Sequence, residues 1–108
     1  MKPVSMAADD ARLLGIFKAL ANPVRYRMVQ HMVAHPQCIT GELAAFADLA
    51  QSTTSQHLAV LREAGLVRGS VEGPAMCYCL NLDALAWFRD RVGALADQLT
   101  AGCCEDAC

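Results

Sequence analysis

Apolar side chains recur at helical spacing over most of the chain, interrupted by one stretch that alternates. Leu13, Leu14, Phe17 and Leu20 mark the apolar face of a first helix, capped by Asp9 or Asp10 and ended by Asn22-Pro23. Pro23 suits the first turn of a second helix, which runs through Met28, Val29, Met32 and Val33 until His35-Pro36 stops it. Thr40 caps a short third helix over 41–47, with Leu43 and Phe46 as its buried residues, and 48–51 forms a turn. Ser52 caps a fourth helix that runs to about Ala64, where Gly65 ends it in the left-handed conformation. Leu58, Leu61 and Leu66 supply its apolar contacts; Gln51, Thr53, Thr54, Ser55, Gln56 and Ala59 form an opposite face that is small and polar. Two strands, 66–70 and 76–80, flank a loop at 71–75 that contains Gly73-Pro74. A last helix starts near Asp83. Its Leu85, Phe88, Val92, Leu95 and Leu99 follow a 3-4-3-4 spacing with Trp87 beside it, a narrow seam of the kind that meets another helix. Gly102 ends that helix and leaves a tail, Gly-Cys-Cys-Glu-Asp-Ala-Cys.

Composition narrows the picture. At 108 residues the chain is expected to be a single domain, 1–108, with 101–108 as a cysteine-rich C-terminal tail. A hydrophobic share of 55% excludes disorder over most of it, and 19% charged residues is low enough to suggest surface buried in an oligomer. No apolar run approaches the ~20 residues that span a bilayer. The start of the chain, MKPVSMAADDA, lacks the pattern of an export signal, so a cytoplasmic protein without a membrane role is expected. Net charge is −2, from 9 basic and 11 acidic side chains, which excludes a uniform basic coat. The charges are unevenly placed. Residues 11–41 hold Arg12, Lys18, Arg25 and Arg27 and no carboxylate, whereas 83–108 hold five carboxylates against Arg89 and Arg91. Six cysteines without an export signal point to soft-metal binding or redox sensing rather than a disulfide scaffold. A thiol oxidoreductase needs Cys-x-x-Cys at a helix start. The chain has none, so no enzymatic activity and no organic cofactor are expected.

The order helix, helix, short helix, turn, helix, hairpin, helix is a winged helix-turn-helix: mainly α with a β-hairpin wing. A helix with a small polar face enters the major groove of double-stranded DNA, and its N-terminal end meets phosphate. The candidate DNA-binding residues are Gln51, Ser52, Thr53, Thr54, Ser55, Gln56 and His57 on that helix, with Arg62 and Arg68 flanking it. Arg25, Arg62 and Arg68 are assigned to phosphates, and Arg27 to a structural ion pair. Without the hairpin behind it, the same Ser/Thr/Gln run reads equally well as a solvated helix face.

Three segments carry a family resemblance. ALANPVRYRMVQHM resembles the second-helix signature of the ArsR/SmtB metalloregulatory repressors. GELAAFADLAQSTTSQHLAVLREAGLVRGSVEG resembles their helix-turn-helix and wing, and CYCLN their second wing strand. The resemblance covers about residues 10–100. It implies a homodimer that represses an operon and leaves its operator when a metal or metalloid binds. It also implies a dimer interface built from the first and last helices, here Leu13, Phe17, Leu85, Phe88, Val92, Leu95 and Leu99, and a reading helix over 52–64.

The effector sites of that family must be matched residue by residue. Its arsenite sensors carry cysteines in the third helix, in an ELCVCDLC-like motif; here the stretch is Glu42-Leu43-Ala44-Ala45-Phe46-Ala47-Asp48-Leu49, with no cysteine. The zinc- and nickel-type site needs histidine on the last helix, which here offers Asp83, Asp90 and Asp97 alone. Cys103, Cys104 and Cys108 remain: three thiols within six residues, suited to a pyramidal three-sulfur centre for As(III) or Sb(III), where zinc wants a fourth ligand. Cys77 and Cys79 alternate on a strand and read as small core residues, or as a thiol pair for Cd(II) or Pb(II). Cys38 paired with Cys103 or Cys104 would make a redox or persulfide sensor of the same family. His31 and His35 stand four apart, a spacing that could bind a metal, but surface or core-edge roles are expected for them. The expected function is therefore a repressor of an arsenic-resistance operon, released by trivalent arsenic, with thiol-redox or Cd(II)/Pb(II) sensing as the alternative.

Overall fold

The computed structural model describes residues 6–34, 51–72 and 75–102, with the backbone alone at 51, 52, 70–72, 75 and 76. The expected helix at 41–47, Cys38, His35 and the tail cysteines Cys103, Cys104 and Cys108 lie outside those residues.

Helix α1 spans Ala8–Leu20 and buries Leu13, Ile16 and Ala19, one residue every three. The buried stripe is turned from the expected one: Ile16 replaces Leu14, which is exposed. Asp9 and Asp10 do not cap the helix. They sit inside its first turn, after Ala7 at the cap position, where a carboxylate still complements the positive end of the helix.

Asn22 starts helix α2, Pro23–Ala34. Its side-chain oxygen accepts from the backbone N–H of Val24 at 2.9 Å and of Arg25 at 3.1 Å. Pro23 has no N–H to satisfy and fits the first helical position. Met28 and Met32, four apart, are buried; Val33, expected on the same face, is 63% exposed.

Helix α3, Gln51–Glu63, begins at the residue expected to close the preceding turn. It ends as the sequence demands. Gly65 has φ +85°, its N–H donates to the Arg62 carbonyl at 3.0 Å, and the Leu66 N–H donates to the Leu61 carbonyl at 3.0 Å. This is a Schellman closure, with buried Leu61 and Leu66 as its apolar partners.

Strands β1, Val67–Glu72, and β2, Ala75–Leu80, pair antiparallel in the register Val67↔Leu80 to Glu72↔Ala75. The hairpin is tighter than expected, with two residues rather than five between its strands. Tyr78 and Leu80 pack against the core cluster of Ile16, Ala19, Met28, Met32, Leu58, Leu61, Leu66 and Val67.

Helix α4, Leu82–Ala101, is 20 residues long, roughly 30 Å at the α-helical rise. Asn81 caps it by accepting from the Ala84 N–H at 3.3 Å. The same side chain donates to the Gly65 carbonyl at 3.0 Å, and the Asn81 backbone N–H donates to the Leu66 carbonyl at 2.8 Å. One residue thus ties the end of α3, the root of the hairpin and the start of α4. The first half of α4 packs home: Ala84 is buried, and Leu85, Trp87 and Phe88 rest on the core. Phe17 meets Phe88 edge-on at 5.6 Å, and the Arg12 guanidinium lies 4.0 Å from the Trp87 ring centroid. Arg91 donates to Asp10 at 3.1 Å across the same α1–α4 seam. Among the described residues, no helix is long and apolar enough to cross a membrane.

Candidate nucleic-acid interface

Helix α3 is anchored by Thr54, Leu58 and Leu61, spaced four and three apart and all buried. A helix fixed along that stripe turns the rest of its circumference outward. Ser55, Gln56 and Arg62 are exposed; Thr53, His57 and Ala59 are half-buried. Gln51 and Ser52 lie in the first turn, where helical N–H groups have no partner within the helix. The face is short, polar and bears one cation, Arg62. It offers donors and acceptors for base edges together with a helix N-terminus for phosphate.

Thr54 is a correction to the expected reading face. It is 1% exposed, and its hydroxyl oxygen has no hydrogen-bond partner among the described residues. The Ser/Thr run hid a spacing signal, because Thr54 stands four before Leu58 and seven before Leu61 and so completes their stripe.

The arginines exchange roles. Arg25, expected at a phosphate, is engaged within the fold. Its Nε–H donates to the Ala19 carbonyl at 2.7 Å, one Nη reaches His57 Nδ1 at 3.4 Å, and the other reaches the Lys18 carbonyl at 3.5 Å. Arg27, expected in an ion pair, is exposed and forms none among the described residues. Arg68 is on β1, 64% exposed at its side chain, and pairs with Asp83 at 3.4 Å. A pair this exposed is worth little, so exchanging Asp83 for a phosphate costs little.

The expected dimer residues divide. Leu13 is 7% exposed; Phe17 and Phe88, half-buried, meet on the α1–α4 seam, and Leu85, half-buried, packs against the core cluster. That corrects Leu13 and leaves the other three partly available. Val92 and Leu95 are half-buried, Leu99 is 67% exposed, and Leu14, not expected in this role, is exposed on α1. Asn81 was missed altogether; an Asn just before a helix predicted to start near Asp83 is a capping signal.

Cys77 is buried. Cys79, at the next same-face position of β2, is half-buried and disulfide-bonded, though not to Cys77. Among the described residues, no group of three or more His, Cys, Asp or Glu side chains could hold a metal ion.

Comparison with known proteins fits this geometry. A family profile described as a helix-turn-helix domain matches residues 20–70. The transcriptional activator HlyU of Vibrio cholerae is 36% identical over 70% of this chain and 69% of its own length. An uncharacterized helix-turn-helix transcriptional regulator of Mycobacterium tuberculosis, Rv0081, is 38% identical over 65% of this chain, which spans 61% of that regulator's length. Among solved structures, a possible transcriptional regulator for arsenical resistance superposes with a TM-score of 0.65 at 33% identity, covering 84% of this chain and 97% of that one. The homodimeric winged helix-turn-helix DNA-binding domain of a possible ArsR-family regulator from Mycobacterium bovis superposes with a TM-score of 0.64 at 24% identity, over 90% of this chain and 92% of that one. The fold is therefore the expected one, mainly helical with a hairpin wing.

Proposed function

Because the chain belongs with the helix-turn-helix transcriptional regulators, we propose that it is a homodimeric repressor of the ArsR type, controlling an arsenic-resistance operon and released from its operator when trivalent arsenic binds Cys103, Cys104 and Cys108. The observation that carries the sensing half is the donor set, three thiols within six residues at the end of the dimer helix. Three thiolates suit As(III) or Sb(III), which hold a lone pair and take three sulfurs. The likeness to a possible regulator for arsenical resistance supports the same reading.

The polar face of α3 supports the DNA half. Two such helices, one per protomer, would enter successive major grooves about 34 Å apart. Arg62 and Arg68 supply phosphate contacts and with them a salt dependence. The first turns of α4 are packed on the core while its last turns carry Leu95 and Leu99 outward. A second copy of α4 covering those residues makes the angle between the protomers depend on this helix, and the tail follows directly. Release then requires only that arsenic bind the free dimer more tightly than the DNA-bound one, and couplings of about 1–3 kcal/mol are typical.

The second reading is a thiol-redox sensor of the same family, in which Cys38 pairs with Cys103 or Cys104. A gel shift on the DNA upstream of the gene separates the two, with reduced protein challenged by As(III), Sb(III), Cd(II), Zn(II) and an oxidant. Arsenite release that Cys→Ser at 103, 104 or 108 abolishes supports the proposal. Release by oxidant alone, or a chain truncated after Gly102 that still responds to arsenite, overturns it.

A further inference from the structure

We infer that Arg25 and His57 form a positioning pair, in which Arg25 holds the His57 ring on α3 so that its Nε2–H is presented to DNA. This goes beyond the repressor reading and rests on its DNA-binding half. Arg25 is held before it reaches α3. Its backbone N–H is taken by the Asn22 cap at 3.1 Å, and its Nε–H by the Ala19 carbonyl, at the buried end of α1, at 2.7 Å. What remains of the guanidinium spans 3.4 Å to His57 Nδ1. The corner between α1 and α2 is thereby linked to the middle of the reading helix, on the flank between its buried stripe and its exposed face.

The chemistry of the contact sets the roles. Guanidinium has no acceptor, so a hydrogen bond at 3.4 Å requires His57 Nδ1 to accept. A ring that accepts at Nδ1 carries its proton on Nε2. Nε2–H is a donor, matched to phosphate oxygen or to the acceptors of guanine, adenine N7 and thymine O4 in the major groove, and mismatched to the amino groups of cytosine and adenine. Arg25 thus acts through His57, without touching DNA.

The test uses the full chain. A duplex is selected by the wild type from a randomised pool, and an unrelated duplex of equal length serves as control. Affinity for both is measured against salt concentration. Arg25→Met is expected to weaken the selected duplex about tenfold, leave the control within about twofold and leave the salt slope unchanged. His57→Gln is expected to do the same, and the double variant to be no more than about twofold worse than either single one. Arg25→Lys, which keeps the charge and loses the fork, is not expected to restore the loss. Equal losses on both duplexes with a slope reduced by about 0.9 would make Arg25 a phosphate contact and overturn the inference. Since Arg25→Met also removes the tethers to the Ala19 and Lys18 carbonyls, nitrogen NMR of the His57 ring in the DNA-free wild type decides the contact separately. An unprotonated Nδ1 supports the pair, and a protonated Nδ1 overturns it. If the wild type selects no duplex, the DNA-binding reading fails and the inference's functional half with it, whereas the ring measurement still reports on the contact.

Discussion

Helices α3 and α4 both carry apolar residues at three-and-four spacing, and the two stripes meet different fates. In α3 the stripe of Thr54, Leu58 and Leu61 is buried from end to end. In α4 burial fades along the helix, from Ala84 at 1% to Leu99 at 67%. The spacing is local, but the core is finite. Helix α3 crosses it, while α4 touches it over its first turns and runs past it. The molecule is accordingly long, 57 × 33 × 25 Å along its principal axes. An apolar stripe tells which side of a helix avoids water; how far the core extends tells whether this chain or another one covers it.

Paired truncations sharpen that contrast most. Leu61→Ala should cost about 2–5 kcal/mol in denaturant unfolding, as expected for a fully buried leucine. Leu99→Ala should change protomer stability by less than about 0.5 kcal/mol, yet raise the dimer dissociation constant about tenfold in sedimentation. Equal stability losses at the two sites would erase the distinction, and an unchanged dimer would remove Leu99 from the interface.

The junction between the two helices comes next. Asn81→Ala loses the α4 cap and leaves the Gly65 carbonyl without its side-chain donor; a cap alone is worth about 0.5–2 kcal/mol. Asn81→Asp keeps the acceptor and should recover roughly half of the loss, read from the midpoint of unfolding. If the two variants match, the cap contributes nothing and the Gly65 bond carries the effect.

The smallest effect probes the buried stripe itself. Thr54→Val replaces a buried hydroxyl, unpaired among the described residues, with a methyl of the same shape. It should stabilise the chain by about 1 kcal/mol and leave DNA affinity within about twofold. A clear loss of affinity would return Thr54 to the reading face.

Helix ends were legible because their causes are local: Pro23 at a first turn, Gly65 where φ must be positive, Gly102 at the last cap. Asp9 and Asp10 misled because a carboxylate serves a first turn nearly as well as a cap. Arg25 and Arg27 are two residues apart, alike in chemistry and opposite in role. Nothing in their neighbourhood along the chain separates them, since the partners of Arg25 are α1 carbonyls and a histidine 32 residues away.

By itself the sequence determined the kinds and order of the described elements and the ends marked by Pro23, Gly65 and Gly102, all set by backbone conformation or by residue chemistry at short range. Only the tertiary structure decided that Thr54 turns inward, that Arg25 braces the reading helix, that Asn81 joins three elements, and which part of the α4 seam stays open. Each of these depends on what lies across the core, and a side chain's partner there is chosen by packing rather than by its neighbours in the chain.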